Sequence, residues 1–477
     1  MRLWEQILLG YQDLVLVYFA TINLLYAFFA WRGLRAIVLY ARELSTTALR
    51  DLLERESYKP VSILVPAYNE EGSIVSSVRS FLKLHYPEFE VIVVSDGSKD
   101  KTIERLIEPF GLVEEPRIFR KVVDSRPIRR IFRSLKHANL IVLEKDNGGK
   151  ADALNAALNF ARFPVVCSVD ADSLLEVQAL LRASRLFALD ETLVAVGGTI
   201  RLLNGSLIEQ GHVAELRLPT RWLERFQVLE YARAFFTGRA GWSAAGSLLI
   251  ISGAFGLFRR DAVLAVQGYR HGTVGEDMDL VVRLHRHFRD KKQPYRIVST
   301  PDPICWTEAP SDMATLRKQR NRWQRGLLET LWSHRGMFMN PRYGRLGFFA
   351  IPYFWIFEAL SPVIEVLGYL LLPVSLAMGV VFPRFAILFL LLAVLYGVLL
   401  SQLAVGIETL LLSRYPRISD RLILFCASFF EFFGYRQILT IERLIGTFQV
   451  RSKSGKWGAM VRLGIENKPA PPAPPPG

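Results

Sequence analysis

Cysteine is scarce in this chain: three in 477 residues, at positions 167, 305 and 426. An odd number so widely spaced rules out a disulfide framework and gives no paired spacing for a cysteine-ligated zinc. The middle of the chain therefore belongs in a reducing compartment. Charge is scarce too, at 22% of residues against 51% hydrophobic, a poor match to a wholly soluble protein. Acids are outnumbered by bases, 45 to 59, for a formal net charge of +14. In a soluble protein that excess would point to nucleic acid. Here the bases gather beside apolar blocks and lack the interleaved aromatics of a nucleic-acid platform. An anionic bilayer surface and a phosphorylated substrate account for them, and nucleic acid is not an expected partner. Histidine is sparse as well, and His212, His271, His285 and His287 fall in no pattern that would make one of them a catalytic base.

What the chain has is apolar length near both ends. Residues 13–31 are almost wholly apolar and long enough to cross a hydrocarbon core. Arg32, Arg35 and Arg42 follow, with only Arg2 before, so the chain after this span is expected in the cytoplasm. No basic start with a small-residue cleavage site marks it as a signal peptide. Residues 346–382 are apolar but broken by Pro352, Glu358, Pro362, Glu365 and Pro373, which suits an interfacial helix and then a kinked span. Residues 385–407 are uninterrupted. The run 422–433 begins like another span, but Glu431, Arg436, Glu442 and Arg443 make it costly in lipid. A cytoplasmic basic tail at 451–462 then requires an odd number of crossings, which three satisfy, with the last segment at the interface or lining a pore. A Pro-Ala-rich stretch, 469–477, closes the chain.

The expected organisation is an N-terminal transmembrane segment (1–42), a cytoplasmic domain (43–340), interfacial and transmembrane helices (341–450) and a basic, then proline-rich tail (451–477). Within the domain, short β-rich runs at 61–65, 91–94, 140–143 and 165–169 alternate with helical patterns at 71–84, 150–160 and 175–189. That predicts an α/β domain, mostly parallel with helices on both faces, inserted between transmembrane helices. Ligands of such sheets bind at the carboxyl ends of the strands, where the polar motifs fall. Residues 116–137 carry eight bases against Asp124, with Ile128, Ile131, Phe132 and Leu135 at helical spacing. A basic amphipathic helix lying on anionic lipid is the preferred expectation, a solvated surface helix the other.

Asp170-Ala171-Asp172 closes one β-run, and two carboxylates at a strand end are hard oxygen ligands for a divalent cation on a diphosphate. Tyr68-Asn69-Glu70 follows the first strand and Ser95-Asp96-Gly97-Ser98 the second. Gly148-Gly149-Lys150 opens a helix, where backbone amides and a lysine suit phosphate. Gly275-Glu276-Asp277 comes later, and Gln319, Arg322 and Trp323 share one helical face. Each alone has a bland explanation in a turn, a cap or a surface helix; their order and spacing do not.

The ordered set resembles the family 2 glycosyltransferases of GT-A fold, above all the membrane poly-N-acetylglucosamine and hyaluronan synthases and, more distantly, the cellulose synthases. The resemblance covers residues 61–337. It implies that Tyr68, Glu70 and Asp96 line a uridine site and that Lys150 helps position the nucleotide. Asp170 and Asp172 would hold the diphosphate through Mg²⁺ or Mn²⁺, and Gln319 and Arg322 would sit on the donor side. Asp277 would be the base, with Ser252, Gly253, Glu276 and Trp323 toward the acceptor. The reaction implied is inverting transfer from a UDP-sugar to a β-linked polysaccharide, in a multi-pass protein of the plasma membrane, with accessory export subunits as possible partners. Two departures stand out: Gly275 replaces the family's Thr, and Ser95 stands where many relatives have Asp. The cyclic di-GMP module of cellulose synthases is not expected after the spans. Transfer of one sugar to a lipid acceptor is the nearest rival; a non-catalytic scaffold conflicts with the intact carboxylate set.

Overall fold

The structure is a computed structural model that describes residues 3–46, 58–209, 211–412 and 417–452. Its centre is one sheet of ten strands. Those strands are β1 (Val61–Ala67), β2 (Phe89–Asp96), β3 (Leu112–Glu114), β4 (Ile128–Ser134), β5 (Leu140–Lys145), β6 (Val165–Val169), β7 (Ser173–Leu175), β8 (Leu193–Leu202), β11 (Phe255–Arg259) and β12 (Arg296–Thr307), while β9 (Leu207–Glu209) and β10 (His212–Glu215) pair separately. The spatial order is β3-β4-β5-β2-β1-β6-β11-β8-β12-β7. The run β5-β2-β1-β6 is parallel, as the alternation of strand and helix predicts. β11 then runs antiparallel between β6 and β8, and β4 runs antiparallel to β5, so the whole sheet is mixed.

Period-two alternation sends neighbouring side chains to opposite faces. Ile63, Val65, Val91 and Val93 join the core on one face, while Leu64, Ile92 and Val94 join the core on the other. The carboxyl ends of β1, β2, β5 and β6 therefore meet along one edge. The antiparallel register Phe255↔Val169 brings Ser252-Gly253, just before β11, beside Asp170, just after β6.

Ten helices position the site and its surroundings: α1 (Leu3–Thr46), α2 (Lys150–Phe160), α3 (Trp222–Ala232), α4 (Ala240–Ala244), α5 (Glu276–Asp290), α6 (Met313–Ser333), α7 (Ser361–Ala377), α8 (Pro383–Leu412), α9 (Ile418–Phe430) and α10 (Tyr435–Gln449). Among the described residues three stretches are long and apolar enough to cross a membrane, at Leu8–Arg42, Leu346–Ala377 and Ala386–Thr409. Exposed Ile387, Leu388, Leu391, Leu395 and Leu399 give α8 an apolar outer face suited to lipid. The segment before α7 is π-helical over Leu346–Ala350 and Phe354–Ala359, and Leu346, Ala350, Ile351 and Tyr353 are buried in the catalytic core. It leads into α7, which has Pro373 inside.

α9 and α10 meet at a 56° bend. Arg417, just before α9, pairs with Glu215 on β10 at 3.1 Å. At the bend Glu431, fully buried, takes Arg233 at 2.6 Å and Arg436 at 3.0 Å. α10 lies along α6, with Glu442 bound to Arg317 at 2.8 Å and to Asn321 at 3.0 Å, and Arg443 donating to Gln324 at 3.0 Å. Both ends of the bent pair thus touch the sheet domain.

Residues 116–137 correct an expectation. They form neither a lipid-lying nor a solvated helix: residues 128–134 are strand β4, between β3 and β5. Ile131 and Phe132 point to opposite sheet faces, into the two separate cores. The bases are largely neutralised, with Arg129, Arg130 and Arg133 paired to Asp146, Glu144 and Glu115, and Lys121 held 2.6 Å from Asp124. Of the tail, residues 453–477 lie outside the described residues, as do parts of the linker at 47–57.

Candidate active site

Asp170 leaves β6 at the sheet edge, and its carboxylate is 2.5 Å from Lys150 Nζ. Lys150 is the first residue of α2, reached through Gly149 at φ +89°, a conformation that glycine adopts without strain. The same ammonium lies 3.5 Å from Glu276 and donates to the Gly253 carbonyl at 3.4 Å. Gly253 N in turn donates to Asp277 Oδ2 at 3.1 Å, and a side chain at Gly253 would press on both Lys150 and Asp277. Four motifs distant in sequence thereby become one cluster. Burial works against the Lys150 charge, but Asp170 and Glu276 outweigh it and hold its pKa above the ordinary lysine value. Glu276 is pushed up to about 7, by burial first, with the Asp277 charge adding and Lys150 opposing.

Asp172 is buried, and Ser173 Oγ lies 3.5 Å from its Oδ1. Among the described residues no three His, Cys, Asp or Glu side chains are grouped to hold a metal ion alone. A cation at Asp170 and Asp172 would therefore need oxygens from a bound diphosphate and water to fill its shell, which suits a hard divalent ion.

Asp96 is at the right edge, but its carboxylate is already engaged. It accepts from Gly148 N at 2.9 Å, Gly149 N at 2.7 Å and Lys145 Nζ at 2.5 Å. Lys145 also reaches Asp152 at 2.6 Å. Asp96 thus fixes the glycine turn that delivers Lys150, and the partners Lys145 and Asp152 were missed because they belong to no motif. Tyr68 is exposed at the end of β1, free to offer its ring to a base. Glu70 takes Ser73 Oγ at 2.8 Å, and its backbone N–H donates to Thr102, holding the turn after β1.

Gln319, Arg322 and Trp323 lie on α6, as their spacing predicts. Gln319 Oε1 accepts from Arg320 at 3.1 Å, and Arg320 lies 4.0 Å over the half-exposed Trp323 ring while pairing with Glu230 at 2.8 Å. Arg322 lies close enough to Glu276 to lower its pKa. α6 is drawn to α5 at two glycines: a Cβ on Gly326 would stand 2.9 Å from Gly275 Cα, and one on Gly275 2.9 Å from the Gly326 carbonyl oxygen. The departure at Gly275 is therefore steric. His285, buried against Leu248 O and Tyr295, is structural, and burial lowers its pKa to about 4.

A mixed α/β sheet with acidic loops and a lysine-headed helix at the carboxyl ends of its parallel strands, flanked by apolar helices, defines a GT-A glycosyltransferase. Residues 59–326, more than half of the chain, match the family described as "Glycosyltransferase like family 2", and the chain belongs to that family. It is 30% identical over 284 residues to a poly-beta-1,6-N-acetyl-D-glucosamine synthase of Staphylococcus epidermidis, covering 59% of this chain and 58% of that one. It is also 30% identical over 271 residues to the Staphylococcus aureus (strain MSSA476) protein of the same name, covering 57% and 55%. The chain spans a little over half the length of these synthases. In fold it is similar to a solved mannosyltransferase, PcManGT from Pyrobaculum calidifontis, in complex with GDP-Man and Mn²⁺, with TM-score 0.52 and 18% identity over 89% of this chain and 98% of the other.

Proposed function

We propose that this glycosyltransferase is an inverting, processive enzyme of the plasma membrane. It takes a UDP-sugar on the cytoplasmic side, UDP-N-acetylglucosamine or UDP-glucose first, and extends a β-linked polysaccharide that leaves through its own membrane helices. The observation that carries the reading is the link Asp277–Gly253–Lys150–Asp170, which sets a carboxylate base next to a phosphate-binding pole. The similarity to poly-N-acetylglucosamine synthases supports the choice of sugar and product.

In this reading Asp277 takes the proton of the acceptor hydroxyl as it attacks the anomeric carbon. Lys150 and Arg322 stabilise the charge that gathers on the departing UDP. Tyr68, with Glu70 and Asp96 shaping the loops around it, lines the uridine side; Gln319 helps fix the donor. Trp323 offers its face to the acceptor sugar, beside Ser252, Gly253 and Glu276. Asp170 and Asp172 would hold Mg²⁺ or Mn²⁺, whose chemistry when bound is neutralisation of the diphosphate. The complex of the structural neighbour with Mn²⁺ supports a divalent ion.

The test is incubation of the purified full chain with a panel of UDP-sugars and Mg²⁺ or Mn²⁺, followed by sizing of the product. A polymer that resists lipid extraction and requires the cation is expected, and Asp277→Asn should cut the rate about 10²–10⁴-fold with UDP affinity kept. A single glycolipid product would overturn processivity, and full turnover in excess chelator would overturn the cation.

A further inference from the structure

Within electrostatic reach of Asp277 stands a guanidinium that no motif announces. Arg239 closes the π-helical turn Arg233–Arg239, and its guanidinium carbon lies 4.0 Å from the centroid of the buried Phe235 ring. Its Nη1 is shut away from water with no hydrogen-bond partner among the described residues. Burial lowers its pKa to about 10, and Asp277 is the foremost charge acting the other way. π-helical turns cost hydrogen-bond geometry and are often found at functional sites.

The turn is braced from behind. Thr237 Oγ1 donates to Arg233 O at 2.7 Å. α1 runs against the backbone on both sides of Arg239: a Cβ on Gly33 would come 2.7 Å from Phe236 O, and one on Gly241 2.5 Å from Phe29 O. Phe29 and Trp242 rings then meet at 4.1 Å. On the other side Tyr231 feels both Arg239 and Arg320, and Arg320 is the guanidinium stacked on Trp323. Asp277 thus has two flanks. One is the Lys150–Asp170 pair, charged for a diphosphate. The other is Arg239, from which an aromatic path leads away, with the Phe235 ring 6.3 Å from Tyr231 and Arg320 beyond it stacked on Trp323; Arg239 Nη1 is an unused donor among the described residues.

We propose that Arg239 binds the acceptor sugar, donating from Nη1 to a hydroxyl or amide-carbonyl oxygen of the terminal residue and so turning the attacking hydroxyl toward Asp277. The inference rests on the reading of Asp277 as base. A guanidinium flat on Phe235 can donate only in its own plane, and it never acts as a base, so its role is orientation. Its seat against α1 places the acceptor at the entry to the first span.

The experiment measures equilibrium binding of short β-linked N-acetylglucosamine oligosaccharides to the UDP-loaded full-length protein, for the parent, Arg239→Gln and Arg239→Lys, with UDP binding measured alongside. For Arg239→Gln the oligosaccharide affinity should fall about tenfold to a hundredfold, as for a lost hydrogen bond to a charged group. UDP affinity should stay within about twofold, with Arg239→Lys between parent and Gln. Unchanged oligosaccharide affinity, or parallel loss of UDP affinity by the Lys variant, overturns the assignment. The readout needs no turnover: a parent that binds oligosaccharide but makes no polymer from any UDP-sugar refutes the proposed synthase and leaves Arg239 standing. A parent that binds no oligosaccharide refutes Arg239.

Discussion

Glu276 has its side chain shut away from water beside Asp277, with Lys150 Nζ 3.5 Å from one carboxylate oxygen. Its pKa stands at about 7 in the fold, against the ordinary 4.5, by burial first and then the Asp277 charge. The folded state therefore holds this proton more tightly than the unfolded chain. By linkage the group's contribution to stability is whole below 4.5 and is withdrawn as pH rises to about 7. Glu276→Gln keeps the shape and cannot ionise, so its thermal midpoint relative to the parent should climb across that window and level off above it. An offset that stays constant through the window would refute the burial argument. Asp279 shows what residue type conceals. It is a second aspartate close in sequence to the proposed base, yet it accepts from His334 at 3.0 Å and Arg283 at 2.7 Å and ties α5 to α6. Motif order singles out Asp277 as the candidate in the sequence; only packing shows that Asp279 is a strut. Arg239 was legible only as a basic residue four positions after Phe235, the helical spacing for a cation–π pair.

The crossing of α5 and α6 at Gly275 and Gly326 sets how far the Arg322–Trp323 face stands from Asp277. Gly326→Ala would place a methyl 2.9 Å from Gly275 Cα, closer than Cβ atoms approach backbone, so one helix has to lift. Overpacking of this kind costs about 1–3 kcal/mol. The expected outcome is a lower thermal midpoint and a transfer rate that falls more than UDP affinity does. Equal rates in parent and variant would show that the crossing does not set the site. The parallel strands were readable because each is a short β-branched run ended by a polar turn. The reversed strand β11 was not: it is a short, almost wholly buried run between β6 and β8, and such a run carries no period that gives its direction. Residues 128–135 misled for a related reason. Ile128, Ile131, Phe132 and Leu135 satisfy helical spacing, but the cores on both sheet faces claim Ile131 and Phe132 separately.

At the scale of the whole molecule, the contacts of α8, α9 and α10 decide how many times the chain crosses. If α7 leads away from the catalytic side, α8 leads back, because Glu408 near its end pairs with Arg201 of β8 at 2.5 Å. The start of α9 and the bend at Glu431 then touch the catalytic unit, and α10 lies along α6. A crossing by the bent pair would carry one of these ends to the opposite face and break the ion pairs that hold it, the buried ones at Glu431 among them. We therefore propose three crossings, with Ser452 on the same side as the active site; the expectation for Lys453 falls outside the described residues. Cys426 is exposed, while Cys167 and Cys305 are buried, so Cys426→Ser gives a quiet background for labelling. On that background, in intact cells, an impermeant thiol reagent should label Phe382→Cys, in the exposed turn between α7 and α8, and should spare Ser452→Cys until the membrane is opened. Labelling at 452 in intact cells, or protection at 382 with labelling only after permeabilisation, would refute the three-crossing arrangement and the cytoplasmic site with it.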